Sequence, residues 1–152
     1  MRTFTRGFSM LEMLVVVGMF FLLAGFGLVV NMDAYRSTDF RSERDLFVAL
    51  LQRARSQSMS NMCAGSVCED GLPHGVHIEA DRYVAFQGGV YNAADEENIR
   101  YPVSPSISRQ GGDITFTQLS GTTTATSTTL SDLTGKTSMI TTNAAGQISW
   151  SN

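Results

Sequence analysis

Two cysteines and two histidines fall close together in this chain: Cys63 and Cys68 in NMCAGSVCED, then His74 and His77 in LPHGVHIEA. Thiolates and imidazoles are zinc ligands, so the quartet is weighed first as a metal site. The spacing C-x4-C-x5-H-x2-H matches no common structural zinc pattern closely, and residues three apart on a strand point to opposite faces. A disulfide between Cys63 and Cys68 is the favoured reading. It closes a short loop, contributes about 2 kcal/mol by the loop-entropy model, and braces the turn from helix to sheet. Two thiols this close also suggest an oxidising compartment. His74 and His77 are then ordinary polar strand residues, and neither a metal nor another cofactor is expected.

The second residue that calls for chemistry is Glu12. Phe8 to Val30 contains only Ser9 and Glu12 as polar side chains, and Met13 to Val30 runs without a charge. As a helix, Phe8 to Val30 would extend about 35 Å at 1.5 Å per residue, enough for a bilayer core of about 30 Å. Arg2 and Arg6 precede the run, which puts the N-terminus in the cytoplasm. A carboxylate inside such a segment is costly and marks a function with a partner still to be found. That partner must be cationic, and the segment holds no Lys, Arg or His. A removable signal peptide and a plain anchor are the rival readings. The run is long for a signal of about 7–15 apolar residues, and neither rival gives the carboxylate a use.

The remaining charged clusters carry less. Arg53 and Arg55 could meet a polyanion, but acids surround them in sequence and alternating charge on a helix usually means solvation. Asp95, Glu96 and Glu97 could offer oxygen to calcium, yet the twelve-residue loop signature is missing. No nucleophile elbow, phosphate-binding glycine loop or paired-carboxylate pattern is present, so no enzyme is expected. The net charge is −3, and nine basic against thirteen acidic side chains follow from Asn31 onward. That is a poor surface for nucleic acid, which is not an expected partner.

The elements that must position these residues are legible in outline. The 152-residue chain has room for one domain and an appendage. No proline occurs before Pro73, so the apolar helix can continue. Phe40, Phe47, Leu50, Leu51 and Ala54 recur at spacings of three, four and seven, one apolar face. Ser42 with Asp45 could form a capping box after a break near Ser37 to Asp39. Beyond the cysteines the period changes to two. HGVHIEA and RYVAFQG read as a hairpin, and ITFTQL, SMITTN and QISW as further strands. NAAGQ supplies a turn with Gly146 at its left-handed position. GGVYNAADEENIRYPVSPS has loop composition, and TTTATSTT is read as a loop or an edge.

RGFSMLEMLVVV resembles the class III signal of type IV prepilins and pseudopilins. The resemblance implies a basic leader cut by prepilin peptidase between Gly7 and Phe8. It also implies N-methylation of the new Phe8 terminus, and makes Glu12 the fifth mature residue. Glu12 would pair with the α-amino group of a neighbouring subunit during assembly, as a register mark more than as glue. RARSQSM, the GVHI…RYVAF hairpin and the closing ITTNAAGQISW ribbon further resemble GspH/FimT-type minor pilins and the minor pseudopilins of type II secretion. Two departures stand out. Gly25, Phe26, Gly27 and Leu28 replace the proline many members carry late in the transmembrane helix. GQISWSN also lacks the basic residues that DNA-uptake members carry near the closing turn.

The implied fold is α+β and pilin-like, a long N-terminal hydrophobic α-helix packed against a small antiparallel β-sheet domain. The segments would be a leader at 1–7, a transmembrane and filament-core helix at 8–30, an amphipathic continuation at 31–62 and a β-rich exposed domain at 63–152. The implied protein is a structural subunit of a pilus or secretion filament; a DNA-uptake or adhesion receptor on the same scaffold is the alternative. Its partners would be other pilin or pseudopilin subunits, the peptidase and the assembly platform of the inner membrane. It would cross that membrane once, with its C-terminal domain outside.

Overall fold

A computed structural model describes residues 9–65 and 70–152, side chains of residues 27–34 excepted. Gly7, Phe8 and Cys68 therefore lie outside the described residues. The fold is α+β, with one helix, α1 (Met10–Met59), and eight strands among the described residues. The chain divides into two compact units, Met1–Thr38 and Asp39–Asn152.

In the first unit α1 starts at a cap. The Ser9 hydroxyl accepts the Glu12 N–H at 3.2 Å, and the Ser9 carbonyl accepts Glu12 N at 3.1 Å and Met13 N at 3.2 Å. Serine followed three residues later by glutamate is the spacing of a capping box. From Met10 to Phe26 every side chain is exposed, including Met10, Leu14, Phe20, Phe21, Leu23 and Phe26.

The break expected near Ser37 to Asp39 does not occur: α1 passes through these residues as helix. Neither proline nor glycine interrupts it there, and Asp45 instead takes the Arg44 guanidinium at 2.9 Å. The helix also stops before residue 62, the end expected from sequence. Asn61 takes a left-handed φ of 53°, and Met62 N–H returns to the Gln57 carbonyl at 3.0 Å.

In the second unit the helical face predicted from periodicity forms the core. Phe40, Phe47, Val48, Leu50, Leu51 and Ala54 pack with Val76, Tyr83, Ile107, Ile114, Phe116, Leu130 and Ile140. Where one small sheet was expected, the strands form two four-stranded antiparallel sheets. The first contains β1 (His74–Ile78), β2 (Arg82–Gln87), β3 (Ile99–Pro102) and β5 (Ile114–Phe116), in the order β3-β2-β1-β5. The second contains β4 (Ile107–Gln110), β6 (Thr126–Asp132), β7 (Thr137–Thr142) and β8 (Ile148–Ser151), in the order β4-β6-β7-β8.

The predicted hairpin pairs His74 with Gln87 through to Ile78 with Tyr83. The closing ribbon pairs Thr142 with Ile148 and Met139 with Ser151, around a turn whose Gly146 has φ 72°. Two expectations fail. Much of the threonine tract belongs to β6, an interior strand between β4 and β7, and not to a loop or an edge. Thr128 and Leu130 alternate inward there, and β-branched threonine suits a pleated surface with one buried face. The stretch read as loop also contributes β3, which stands at one end of the first sheet among the described residues.

Candidate functional site

Glu12 stands in the first turn of α1 with its side chain exposed. Its backbone N–H is satisfied by the Ser9 hydroxyl, so Ser9 caps the helix at this turn. Carboxylates are favoured at a helix N-terminus, where the unpaired N–H groups concentrate positive partial charge. Sequence reasoning missed this cap, although the serine three residues before the glutamate was the available signal. Among the described residues no helix is long and apolar enough to cross a membrane. The uncharged run itself extends to Val30, and its described side chains end at Phe26.

Cys63 is disulfide-bonded, and its expected partner Cys68 falls outside the described residues. The segment after Cys63 is clasped from β2. Ala64 N–H donates to Gln87 Oε1 at 3.0 Å, and Gln87 Nε2 donates to the Ala64 carbonyl at 2.8 Å.

The two histidines have different surroundings. His74 is 6% exposed, its Nδ1 has no partner, and burial pushes its pKa down against the pull of the Leu72 carbonyl. His77 meets Asp113 Oδ1 at 2.5 Å and stacks on Tyr91 with ring centres 3.8 Å apart. Among the described residues no group of three or more His, Cys, Asp and Glu could hold a metal ion.

Arg53 and Arg55, read from sequence as solvated helix residues, both reach back to their own domain. Arg53 donates to the Tyr101 hydroxyl at 2.6 Å, and Arg55 Nη2 to the Ala145 carbonyl at 3.2 Å. Of the acidic run, Asp95 serves its own loop by accepting the Glu97 N–H at 3.0 Å.

The strongest polar constellation was not anticipated. Glu43, on the core side of α1, receives Arg109 Nε at 2.6 Å and the Tyr83 hydroxyl at 3.1 Å on Oε1, and the Ser104 N–H at 3.3 Å on Oε2. Arg109 also donates to the carbonyls of Ala80 at 2.9 Å and Ser104 at 2.7 Å. Burial pushes the Glu43 carboxyl up, against the pull of the Arg109 guanidinium and the surrounding hydrogen bonds. Tyr83 is likewise raised, first by burial and then by Glu43. The constellation joins α1 through Glu43 to β2 through Tyr83 and to β4 through Arg109.

No family model matches the chain, and neither a curated protein nor a solved structure matches it.

Proposed function

We propose that the chain is a minor pilin or pseudopilin, a structural subunit of a type IV pilus or type II secretion filament. The observation that carries this reading is the apolar helix of the first unit. It begins at the Ser9 cap, carries Glu12 in its first turn and leaves every side chain from Met10 to Phe26 exposed. Apolar surface of that extent is driven out of water, into lipid or against copies of itself. The motif RGFSMLE before it offers a route between the two. Cleavage after Gly7 would give Phe8 an α-amino group, the cation that Glu12 lacks within its own segment.

On this reading the subunit waits in the inner membrane with its N-terminus in the cytoplasm, and the α+β domain is displayed outside. Extraction into a filament exchanges lipid contacts of the apolar helix for contacts with neighbouring helices. The fold is then pilin-like, with α1 serving as both membrane stem and core element of the domain. Its partners are other subunits, the prepilin peptidase and the assembly platform.

N-terminal sequencing of protein recovered from membranes tests the reading. A mature chain beginning at Phe8 is expected, and replacement of Gly7 by a bulky residue should leave precursor. A wild-type chain cut within or after the apolar run would instead establish a removable signal peptide. Deletion of the gene, scored in parallel for surface fibres, protein secretion and DNA uptake, assigns the machine.

A further inference from the structure

Among the described residues the second sheet ends at β4 on one side and at β8 on the other. Bonds already made fix which backbone groups of these two strands point outward. Asn143 N–H donates to the Gln147 carbonyl at 3.0 Å, and the antiparallel alternation then bonds Thr141 to Ser149. Ile148 and Trp150 turn their N–H and C=O away from β7. Asp132 N–H donates to the Lys136 carbonyl at 3.0 Å, so Thr129 and Ser131 turn to β4, where they meet Gln110 and Ser108. Arg109 is left with N–H and C=O pointing outward. Gly111 continues the same phase: a Cβ there would meet Thr128 Oγ1 at 2.6 Å, just as Arg109 stands opposite Leu130. Water reaches these groups. The Arg109 side chain is only 3% exposed while the residue as a whole is half-buried, so its accessible surface is mainly main chain. Gly111 is exposed, and so is Trp150.

The ends of the first sheet differ. β3 carries Arg100 and Pro102, and charge and proline are common guards of an open edge. The chain after β5 folds back beside it, with Thr117 N–H donating to the Thr122 carbonyl at 2.7 Å. β8 has neither proline nor charge, and the one charge of β4, Arg109, is turned inward onto Glu43.

The two open edges fit each other. Pairing Trp150 with Arg109 and Ile148 with Gly111 of a second copy lets each pair exchange both hydrogen bonds. A register that brought Trp150 to Ile107 would do less, because Ile107 N–H already bonds the Ser104 carbonyl at 3.4 Å. Faces agree too. Ile148 packs on the core and Arg109 on Glu43, so both edges turn these positions toward the helix. The outer face then pairs Ser149 with Gln110 and Ser151 with Ser108, with no charge opposed to another. Direction agrees as well: four strands in antiparallel succession leave β8 running opposite to β4. An antiparallel junction therefore keeps successive copies in one orientation, as subunits held in one membrane must be.

We propose that β8 of one copy adds to β4 of the next, extending the second sheet from subunit to subunit. Different edges meet, so the contact is heterologous and repeats along a row instead of closing on a dimer. The inference rests on the filament reading for the scaffold that brings the copies together.

Cysteine cross-linking in the full-length chain, within its own membranes and filaments, tests the junction. Ser149 and Gln110 of the second copy would form a non-hydrogen-bonded pair, with Cα atoms about 4.5 Å apart and within reach of a disulfide. Ser149→Cys with Gln110→Cys, both at exposed positions, should give a ladder of linked multimers on oxidation, the link being mapped by peptide mass. Ser149→Cys with Ser108→Cys displaces the partner by about 7 Å along the strand and should link at least about tenfold less. Multimers from Ser149→Cys alone, joined through that position, would establish a two-fold β8–β8 pair and overturn the proposal. An absent ladder, or a stronger link from the displaced pair, overturns it too. Filaments that form while the Ser149→Cys, Gln110→Cys chain stays unlinked overturn this contact alone, whereas a wild-type chain whose terminus is not Phe8 overturns the filament reading.

Discussion

Arg109 Nη2 lies 2.5 Å from Glu43 Oε1, with the two side chains only 3% and 4% exposed, so an ion pair joins α1 to the sheets inside the domain. Removing one partner would strand a buried charge, which typically costs about 3–5 kcal/mol, whereas replacing both by apolar residues of similar volume is often neutral. Arg109→Met is therefore expected to destabilise the domain by about that amount, and Glu43→Leu with Arg109→Met to recover most of it. Denaturant unfolding followed through Trp150 fluorescence measures both. Equal loss in the single and double variants would assign the cost to packing and not to the stranded charge.

One substitution separates the proposed pairing of Glu12 from its place in the first turn of α1. Glutamine serves as well as glutamate three residues after a capping serine, but it carries no charge. Glu12→Gln should therefore keep the helix while lowering incorporation into filaments. Ser9→Ala should do the reverse, weakening the helix start by about 1 kcal/mol. Far-UV circular dichroism in detergent and filament yield read the two effects. Wild-type filament yield from Glu12→Gln would remove the intersubunit pairing.

Intact mass of the oxidised chain should fall two hydrogens below the dithiol form, with Cys63 and Cys68 joined. The Gln87 clasp on Ala64 should shield that segment, so Gln87→Ala is expected to speed reduction by a small thiol while leaving the folded domain in place. A reduction rate unchanged by Gln87→Ala would show that the clasp plays no part.

His74 predicts an acid-sensitive term in stability. Its folded pKa is lowered by burial, so between the ordinary value near 6.5 and the lowered one the unfolded chain binds the proton more readily. Stability from this group is present above about pH 6.5 and lost as the pH falls through the folded value. His74→Gln should flatten that part of the pH profile in denaturant titrations. A profile with the same slope in the variant would place the sensitivity elsewhere.

Features that depend on neighbours along the chain were legible before folding. Helical periodicity and the absence of proline placed Phe47, Leu51 and Ala54 on one buried face. Alternation and short turns placed the β1–β2 hairpin and the closing ribbon in pairs. Both signals lie within a few residues, because the backbone bonds that express them are local. The capping serine was equally local and could have been read. Which distant segments met was settled by the folded packing. Glu43 and Arg109 are 66 residues apart, and each looks in isolation like a solvated charge. Ser58 is polar and inconspicuous, yet its buried hydroxyl accepts the His74 N–H at 2.9 Å and donates to the Phe116 carbonyl at 3.0 Å, tying helix to β1 and β5. The threonine tract became an interior strand because β4 and β7 supply hydrogen-bond partners on both sides. Composition records a residue's preference for water, and burial with a partner reverses that preference only once distant segments have closed around it.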